Sequence, residues 1–386
     1  MMHFAARSFF TRMPNTIPRM RAANRFLYQA GLHVRKRSDI PAEEGVRTAS
    51  LPLVSLEITR GRFAIPRAAV YSDLGLWDRI ELPPHQQVRS AADCSTTTAD
   101  STLNRLDKKR KTLPHHHCDR ADVDKLLLSL VPEAQKLAKA PISSFPVGAV
   151  GLGSSGRIFV GVNVEFPQLP LGQSIHAEQC LALNALLHSE PSLEAIALSA
   201  APCGHCRQFY CELFGASNIR FLFGKEPHAV LHDLLPERFG PEDLLQDRQE
   251  PLFLEQRQNG LVLGEESWGC LKSSDDVALI QAALNAANHS YAPYTRCPAG
   301  VALRTIHGRV HSGGYVESAA FNPSMPPLQA ALVHGMVDGL KDWSQIVDGV
   351  LVELPEAKVQ HAEVTKLVLS KIAPRTKLRV LHATWR

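Results

Sequence analysis

The chain has 386 residues, of which 45% are hydrophobic and only 6% aromatic, and its formal net charge is +4 at pH 7. This length suits two or three domains with sizeable cores. No apolar run approaches the roughly 20 residues that a membrane-spanning helix needs, so we expect no membrane partner. The eight cysteines form no short-chain disulfide framework, which favours a reducing compartment, and the cytosol is the expected location.

The N-terminal part, residues 1–112, is predicted to be a basic, disordered extension. Its first 38 residues contain eight Lys and Arg and no acidic residue, which is typical of an organellar transit peptide. A mitochondrial or plastid location is therefore the alternative to the cytosol. Pro14 and Pro18 argue against a transit peptide, because both would interrupt an amphipathic helix. The polar segment 93–101 and the basic run 108–111 favour a disordered linker.

A first folded unit is predicted at residues 113–250. From 122 to 138 the apolar residues recur at helical spacing, which predicts a short amphipathic helix ahead of the first sheet. Beyond this helix, strand-like and helix-like segments alternate. The alternation predicts an α/β fold in which helices flank a mixed sheet.

Two short motifs in this unit carry the chemistry, His176-Ala177-Glu178 and Pro202-Cys203-Gly204-His205-Cys206. One imidazole and two thiolates supply three zinc ligands and leave the fourth tetrahedral position open, as catalytic zinc sites do. Glu178 follows His176 too closely for both side chains to reach the metal from a helix, so its carboxylate is free to act as a proton shuttle. The cysteines open a helical pattern, and a helix N-terminus stabilises thiolates. The motifs predict a zinc centre that activates water.

A structural zinc site, or a pair of merely packed cysteines, is the alternative interpretation of the C-x-x-C motif. A structural site needs a fourth ligand. His205 is expected to point away from the face that carries Cys203 and Cys206, and Cys211 lies a helical turn or more beyond. Because a structural site has no use for an uncommitted carboxylate, Glu178 favours catalysis.

The sequence partly repeats itself at an offset of 152 positions, which indicates a duplicated domain. The gap-free matches include Ala140-Pro141 on Ala292-Pro293, Gly148 on Gly300, and Val164-Glu165 on Val316-Glu317. The second copy is predicted to span 268–386, after a connector at 251–267.

The second copy is expected to be inactive. The same offset places Leu328-Gln329-Ala330 on His176-Ala177-Glu178, and a one-residue gap places Glu356 and Val359 opposite the two cysteines. The metal ligands and the carboxylate are then all missing. Such a copy either packs against the first one for stability or supplies a surface that completes its site.

These motifs are long and specific, and from about residue 126 to 381 the chain resembles the cytidine deaminases of the larger, two-domain type. H-x-E…P-C-x-x-C is the established signature of zinc deaminases. The segments that carry the resemblance are 144–150, 161–166, 175–179, 202–209 and 319–330. The resemblance implies a three-layer α/β/α fold present twice, first as an active and then as a degenerate copy.

The implied activity is hydrolysis of cytidine or deoxycytidine to uridine or deoxyuridine with release of ammonia, in pyrimidine salvage. A zinc-activated hydroxide would attack C4 while Glu178 moves the protons, and the enzyme would be a homodimer with one zinc ion per subunit. The resemblance also implies a role for each further site residue: zinc on His176, Cys203 and Cys206, the base against Phe145, the ribose hydroxyl on Asn163 and Glu165, the leaving amino group on the Ala177 carbonyl, and Ala320 and Phe321 from the other subunit over the pyrimidine.

Two other functions share parts of this pattern. A deaminase of single-stranded DNA or RNA would use the same zinc chemistry, but it needs a basic groove with stacking aromatic side chains. The low aromatic content and the Asn163/Glu165 pair favour an enclosed nucleoside, so we expect no polynucleotide partner. A non-catalytic zinc or RNA-binding module would bind metal without forming uridine, and the intact Glu178 disfavours it.

Overall fold

Two five-stranded sheets organise the chain. The computed structural model describes residues 120–224, 229–245, 253–269 and 274–386, together with two short strands, β1 (His33–Val34) and β2 (Ile80–Glu81), which pair antiparallel. The predicted disorder and transit peptide of residues 1–112 otherwise lie outside the described residues. None of the helices in the described ranges is long and apolar enough to cross a bilayer.

The elements of the two copies follow each other in chain order. Those of the first copy are α1 (Arg120–Gln135), β3 (Gly148–Gly153), β4 (Ile158–Val162), α2 (Ala177–Leu187), β5 (Leu193–Leu198), α3 (Gly204–Tyr210), β6 (Arg220–Leu222), β7 (Ala229–Val230), α4 (Leu231–Leu234) and α5 (Pro241–Leu244). Those of the second are β8 (Leu261–Leu263), α6 (Glu266–Gly269), α7 (Ser274–Asn288), β9 (Gly300–Thr305), β10 (Val310–Gly314), α8 (Pro327–Val337), β11 (Ile346–Glu353), α9 (Ala362–Ile372) and β12 (Lys377–Trp385).

The first four strands have matching orders in the two sheets, β4-β3-β5-β6 and β10-β9-β11-β12. The fifth strand is β7 in the first sheet, where it is last in chain order, and β8 in the second, where it is first. In each sheet the third and fourth strands are parallel, and the other neighbours are antiparallel. A parallel pair requires a crossover, which α3 and α9 provide. The predicted duplication of a mixed-sheet domain is confirmed.

Helices cover both faces of each sheet, so each copy has the three layers that the resemblance implies. In the first copy, α1 places Leu127 and Val131 against Val150 on one face of the sheet, and α2 covers the other face. The predicted amphipathic helix at 122–138 is therefore present. In the second copy, α7 and α8 take the same two positions.

The central helices α2 and α8 hold the two copies together. Residues 177–185 of α2 are all buried, although this helix covers only one sheet. A helix that is apolar on all sides has to be enclosed on all sides. Here α2 lies between its own sheet and α8, and a single apolar cluster continues from the first copy into the second.

The structure corrects one part of the predicted repeat. The offset of 152 holds for β3 and β9, but α2 and α8 begin at 177 and 327. The bridge of Val164 to Ile175 returns as Val316 to Met325, so two residues are deleted in the loop between. The predicted match of 328–330 to the first motif is wrong by two residues. Pro326, Pro327 and Leu328 stand there instead.

The one-residue gap later in the repeat agrees with the sheet registers. Ala149 of β3 pairs with Leu198 of β5, and Val301 of β9 pairs with Leu351 of β11. The offset at these strands is therefore 153. Pro326 therefore corresponds to His176, and Glu356 and Val359 correspond to the two cysteines. The second copy thus lacks the His/Cys/Cys set, as the sequence predicts.

Part of the predicted connector, 251–267, is built into the two copies. Phe253 is buried in the first copy, where its N–H donates to the carbonyl oxygen of Glu212 at 3.0 Å. β8 pairs antiparallel with β12 and forms the edge of the second sheet. The second sheet thus includes one strand, β8, that precedes the predicted boundary at 268. Without β8, β12 would be the edge strand of this sheet. The boundaries at 112 and 250 stay predictions.

Candidate metal centre and active site

The three predicted metal ligands come together at the N-termini of two helices. His176 is the residue before α2, Cys203 is the residue before α3, and Cys206 lies in the first turn of α3. Their ligand atoms all lie within 4.8 Å of one another. The Nδ1 atom of His176 is 3.5 Å from the Cys203 sulfur and 3.3 Å from the Cys206 sulfur. Pro202 ends the approach from β5 and fixes where α3 begins.

The two thiols share a hydrogen bond that shifts their pKa values in opposite directions. Donation from Cys206, followed by the contact with His176, lowers the pKa of Cys203 to about 3. The same hydrogen bond raises the pKa of Cys206, and burial raises it further. One thiolate thus forms readily, and a divalent cation is the species that would displace the remaining proton.

The donor set fits zinc. Zn–S bonds of about 2.3 Å and Zn–N bonds of about 2.0 Å in a tetrahedron hold sulfur and nitrogen about 3.5 Å apart, which is the spacing observed. Within the described ranges, the metal-binding group contains these three residues and no fourth. Three ligands from a His/Cys/Cys set are typical of a catalytic zinc site.

Glu178 lies in the first turn of α2 and is only 5% exposed. Burial raises the pKa of its carboxyl, which is within hydrogen-bond reach of the Cys206 thiol. The hydroxyl of the buried Tyr210 donates to the backbone carbonyl of Glu178 at 3.0 Å. Because Tyr210 belongs to α3, this bond ties the helix that carries the carboxyl to the helix that carries the thiols.

A close approach of β4 positions the start of α2. A Cβ atom at Gly161 would lie 2.1 Å from the Ala177 carbonyl oxygen and 2.4 Å from the Leu181 nitrogen. Only glycine fits at such a contact. Ala177 is buried beneath this strand, and its carbonyl is the group to which the resemblance assigns the leaving amine.

Phe145, Asn163 and Glu165 form one hydrogen-bonded unit. Asn163 accepts from the Val147 N–H at 2.8 Å and donates to the Phe145 carbonyl at 3.0 Å. Glu165 accepts from the N–H groups of Ile142 and Ser143 at 2.8 and 2.9 Å and from the Ser143 hydroxyl at 2.5 Å. Burial alone raises the pKa of Glu165, but these hydrogen bonds bring it below its usual value. The polar pair therefore shapes the loop that carries the Phe145 ring, which is 60% exposed.

This unit is joined directly to the metal ligands. Val164, between the two polar residues, exchanges backbone hydrogen bonds of 2.9 and 2.8 Å with Ile175, the residue before His176. The second copy keeps half of the arrangement, because Glu317 accepts from the Tyr294 and Thr295 N–H groups and from the Thr295 hydroxyl. Such a carboxylate supports the loop even where the copy has no metal site.

Ala320 and Phe321 lie in the second-copy loop between β10 and α8. Both are exposed, with the Phe321 ring 63% exposed, and Phe321 has a φ of 64°. The backbone of this loop reaches the first copy on either side of them. Within one chain, these two side chains are thus at the surface while their loop is anchored near the metal-bearing helices.

Three residues near the site have roles that sequence reasoning missed. His205 stacks on the His176 ring, with centroids 5.0 Å apart, and lies outside the metal-binding group. Gln179 accepts from the His176 N–H at 3.3 Å, lies 3.2 Å from the His205 ring and donates to the Pro323 carbonyl at 3.0 Å. Its position three residues after His176 is the one signal that could have identified it. Glu212 gives no local signal.

Two family models match the chain, over residues 121–222 and 231–366, and both are described as the cytidine and deoxycytidylate deaminase zinc-binding region. Cytidine deaminase 1 of Arabidopsis thaliana is 47% identical over 275 residues, which are 67% of this chain and 91% of the relative. Cytidine deaminase of Yersinia pestis (strain Pestoides F) is 41% identical over 259 residues, which are 67% of this chain and 83% of the relative. A solved cytidine deaminase of Mycobacterium tuberculosis is 31% identical and covers 30% of this chain and 96% of its own, with a TM-score of 0.28.

With this identity and coverage, the chain belongs to the family of zinc-binding cytidine and deoxycytidylate deaminases. It groups with the two-domain cytidine deaminases, which confirms the resemblance drawn from its motifs. Zinc is accordingly the cofactor, and His176, Cys203 and Cys206 are the residues that fit it.

Proposed function

We propose that the protein hydrolyses cytidine and deoxycytidine to uridine and deoxyuridine with release of ammonia, as a zinc-dependent hydrolase of pyrimidine salvage. The observation that carries this proposal is a buried carboxyl, Glu178, beside a metal group that has three ligands among the residues the structure describes. The curated relatives are named cytidine deaminases, which supports this substrate class.

Zinc held by His176, Cys203 and Cys206 would supply the nucleophile for C4 of the pyrimidine, because it would lower the pKa of a coordinated water. The chain's own residues move the protons. Glu178 protonates N3 of the ring and then the departing amino group, and burial raises the pKa of its carboxyl, which favours the protonated form that a general acid needs. The Ala177 carbonyl accepts from the leaving amino group.

The nucleoside is held by the unit of Phe145, Asn163 and Glu165. The exposed ring of Phe145 offers a face for the base. The Asn163 amide uses one of its two N–H donors on Phe145, and Oε1 of Glu165 accepts one hydrogen bond from Ser143, so both groups have capacity left for a ribose hydroxyl. We assign them to that hydroxyl.

Deamination should therefore require the ribose of the substrate, and it should be faster for the free nucleoside than for an oligonucleotide. We expect kcat/KM for cytosine to be about 10⁴-fold below that for cytidine, because a site that hydrogen-bonds a hydroxyl rejects an analogue without it. Ultraviolet assays of cytidine, cytosine and a cytidine-containing oligonucleotide measure this directly. Faster turnover of the oligonucleotide would identify a polynucleotide deaminase, and zinc-loaded protein without turnover would identify a non-catalytic module.

We also propose a homodimer in which Ala320 and Phe321 of one protomer cover the pyrimidine in its partner. The rings of Phe145 and Phe321 are each more than half exposed in the single chain, and a partner that covers them would remove apolar surface from water. Sedimentation equilibrium at assay concentrations should give twice the chain mass. Full activity from a monomer would contradict this assembly.

For the location we propose the cytosol, with mitochondria or plastids as the alternative. The support is compositional: cysteine usage favours a reducing compartment, and the prolines in the basic N-terminus disfavour a transit helix. Mass spectrometry of the N-terminus of the native protein distinguishes the two, because a transit peptide is removed after import.

A further inference from the structure

Glu212 is a buried carboxylate whose hydrogen-bond donors all come from the other copy. Its side chain is 0% exposed and accepts from the Tyr291 hydroxyl at 2.8 Å, the Tyr294 hydroxyl at 2.5 Å and the Ala319 N–H at 2.7 Å. These three donors are uncharged. A buried carboxyl group is costly unless hydrogen bonds satisfy it, so this geometry is specified and not incidental.

The backbone of Glu212 continues from the helix that carries the thiols. α3 ends at Tyr210, and the N–H of Glu212 donates to the Phe209 carbonyl at 3.2 Å. On its other side, the Glu212 carbonyl accepts from Phe253 at 3.0 Å. The backbone of Glu212 is thus fixed by the first copy, next to the helix that carries the thiols. From there its side chain binds the Ala319 N–H of the second copy.

Ala319 is the residue before Ala320 and Phe321, and the loop has a second anchor beyond them. There the Pro323 carbonyl accepts from Gln179, which is itself bonded to the backbone of His176. Phe321 lies between the two anchors with a left-handed φ of 64°. A bulky residue keeps such a backbone only where its surroundings impose it. Hydrogen bonds inside the loop, from Phe321 to the Ser318 carbonyl and from Ser324 to the Phe321 carbonyl, flank this residue, and the two anchors attach the loop to the first copy.

We propose that Glu212 is a positioning residue that fixes the loop of Ala320 and Phe321 relative to the metal-bearing helices, and thereby sets nucleoside affinity. The proposal rests on the function proposed above, in which these two residues cover the pyrimidine. Glu212 touches neither substrate nor metal. Its effect passes through the Ala319 N–H, so its loss changes KM and not the chemical step.

Two variants test this role. Glu212→Leu removes the acceptor, and Ala319→Pro removes the donor while leaving Glu212 in place. The offset of 152 that holds up to Val164 and Val316 places Pro167 of the first copy opposite Ala319. We expect each variant to raise KM for cytidine about tenfold, the size of one charge-assisted hydrogen bond, with kcat and zinc content within about twofold of wild type. Glu212→Gln keeps an acceptor for Ala319 and should restore KM to within about threefold.

The matched control is Glu190→Gln. Glu190 is also a fully buried carboxylate, but it accepts from Ser155 and Arg157 of its own copy. This variant should lose stability and leave KM unchanged. If Glu212→Leu does not fold, Ala319→Pro decides the question. A folded, zinc-loaded Ala319→Pro protein with wild-type KM would overturn the proposal.

Amide hydrogen exchange separates this inference from the proposed function. In wild type the Ala319 amide should be protected from exchange. The same amide should exchange fast in Glu212→Leu, which lacks an acceptor, and slowly in Glu212→Gln, which keeps one. This measurement needs no activity. A wild-type chain that deaminates no nucleoside would contradict the function alone, whereas equal exchange in all three proteins would contradict the role of Glu212.

Discussion

Glu178→Gln should lower kcat for cytidine by about 10³-fold or more while one zinc ion per chain stays bound. General acid–base groups contribute on this scale, and here a single carboxyl serves both proton transfers. The side chain is buried beside the metal group without being part of it, so an amide of the same shape leaves the ligands in place. Glu178→Ala should behave alike. Zinc content and the ultraviolet change on cytidine conversion measure both effects.

Glu190→Gln is the matched control for this prediction too, since it removes the charge of a buried carboxyl away from the metal group. It should keep wild-type kcat in the folded fraction. Normal turnover by a Glu178 variant would remove the proton-shuttle role, and loss of zinc from Glu178→Gln would mean that the carboxylate is a ligand.

Cys206→Ala should abolish both zinc binding and deamination. Removing an outer-shell partner of a metal ligand typically costs 10–100-fold in affinity, and removing a ligand costs more, so we expect zinc affinity to fall by more than about a hundredfold. Cys206 is fully buried between His176 and Cys203, and no other described side chain of the group can replace it. Zinc per chain after dialysis, together with activity, gives the result.

Cys211→Ala provides the comparison from the other end of α3. Cys211 is also buried, but its sulfur bonds the Arg207 carbonyl and is outside the metal group. We expect it to retain one zinc ion and full turnover. Full zinc retention by Cys206→Ala would show that the metal is held elsewhere.

The metal site was predictable because its chemistry is concentrated in two short segments. His176 and Glu178 are two positions apart, Cys203 and Cys206 are three apart, and each pair is placed by the start of one helix. Helical spacing likewise predicts α1. Local spacing of this kind survives folding, because a helix fixes the geometry of its own first turn.

The anchors of the second-copy loop were not predictable in this way. The bond from Gln179 to Pro323 joins residues 144 positions apart, and the bond from Glu212 to Ala319 joins residues 107 apart. From sequence alone, a glutamate that follows a helix is expected to be exposed to solvent. Glu212 is buried because residues of the other copy enclose it. The misplaced match at α8 has a similar origin, since a deletion in a loop leaves no periodicity to reveal it.

The pairing of β8 with β12 decides how this chain can be divided into pieces. A fragment that starts at Ser274 would contain four strands of the second sheet and leave the long β12 as an open margin, a surface that invites pairing with other chains. Any separately expressed second half therefore has to begin upstream of Leu261. Even then it would expose the side of α8 that α2 normally shields.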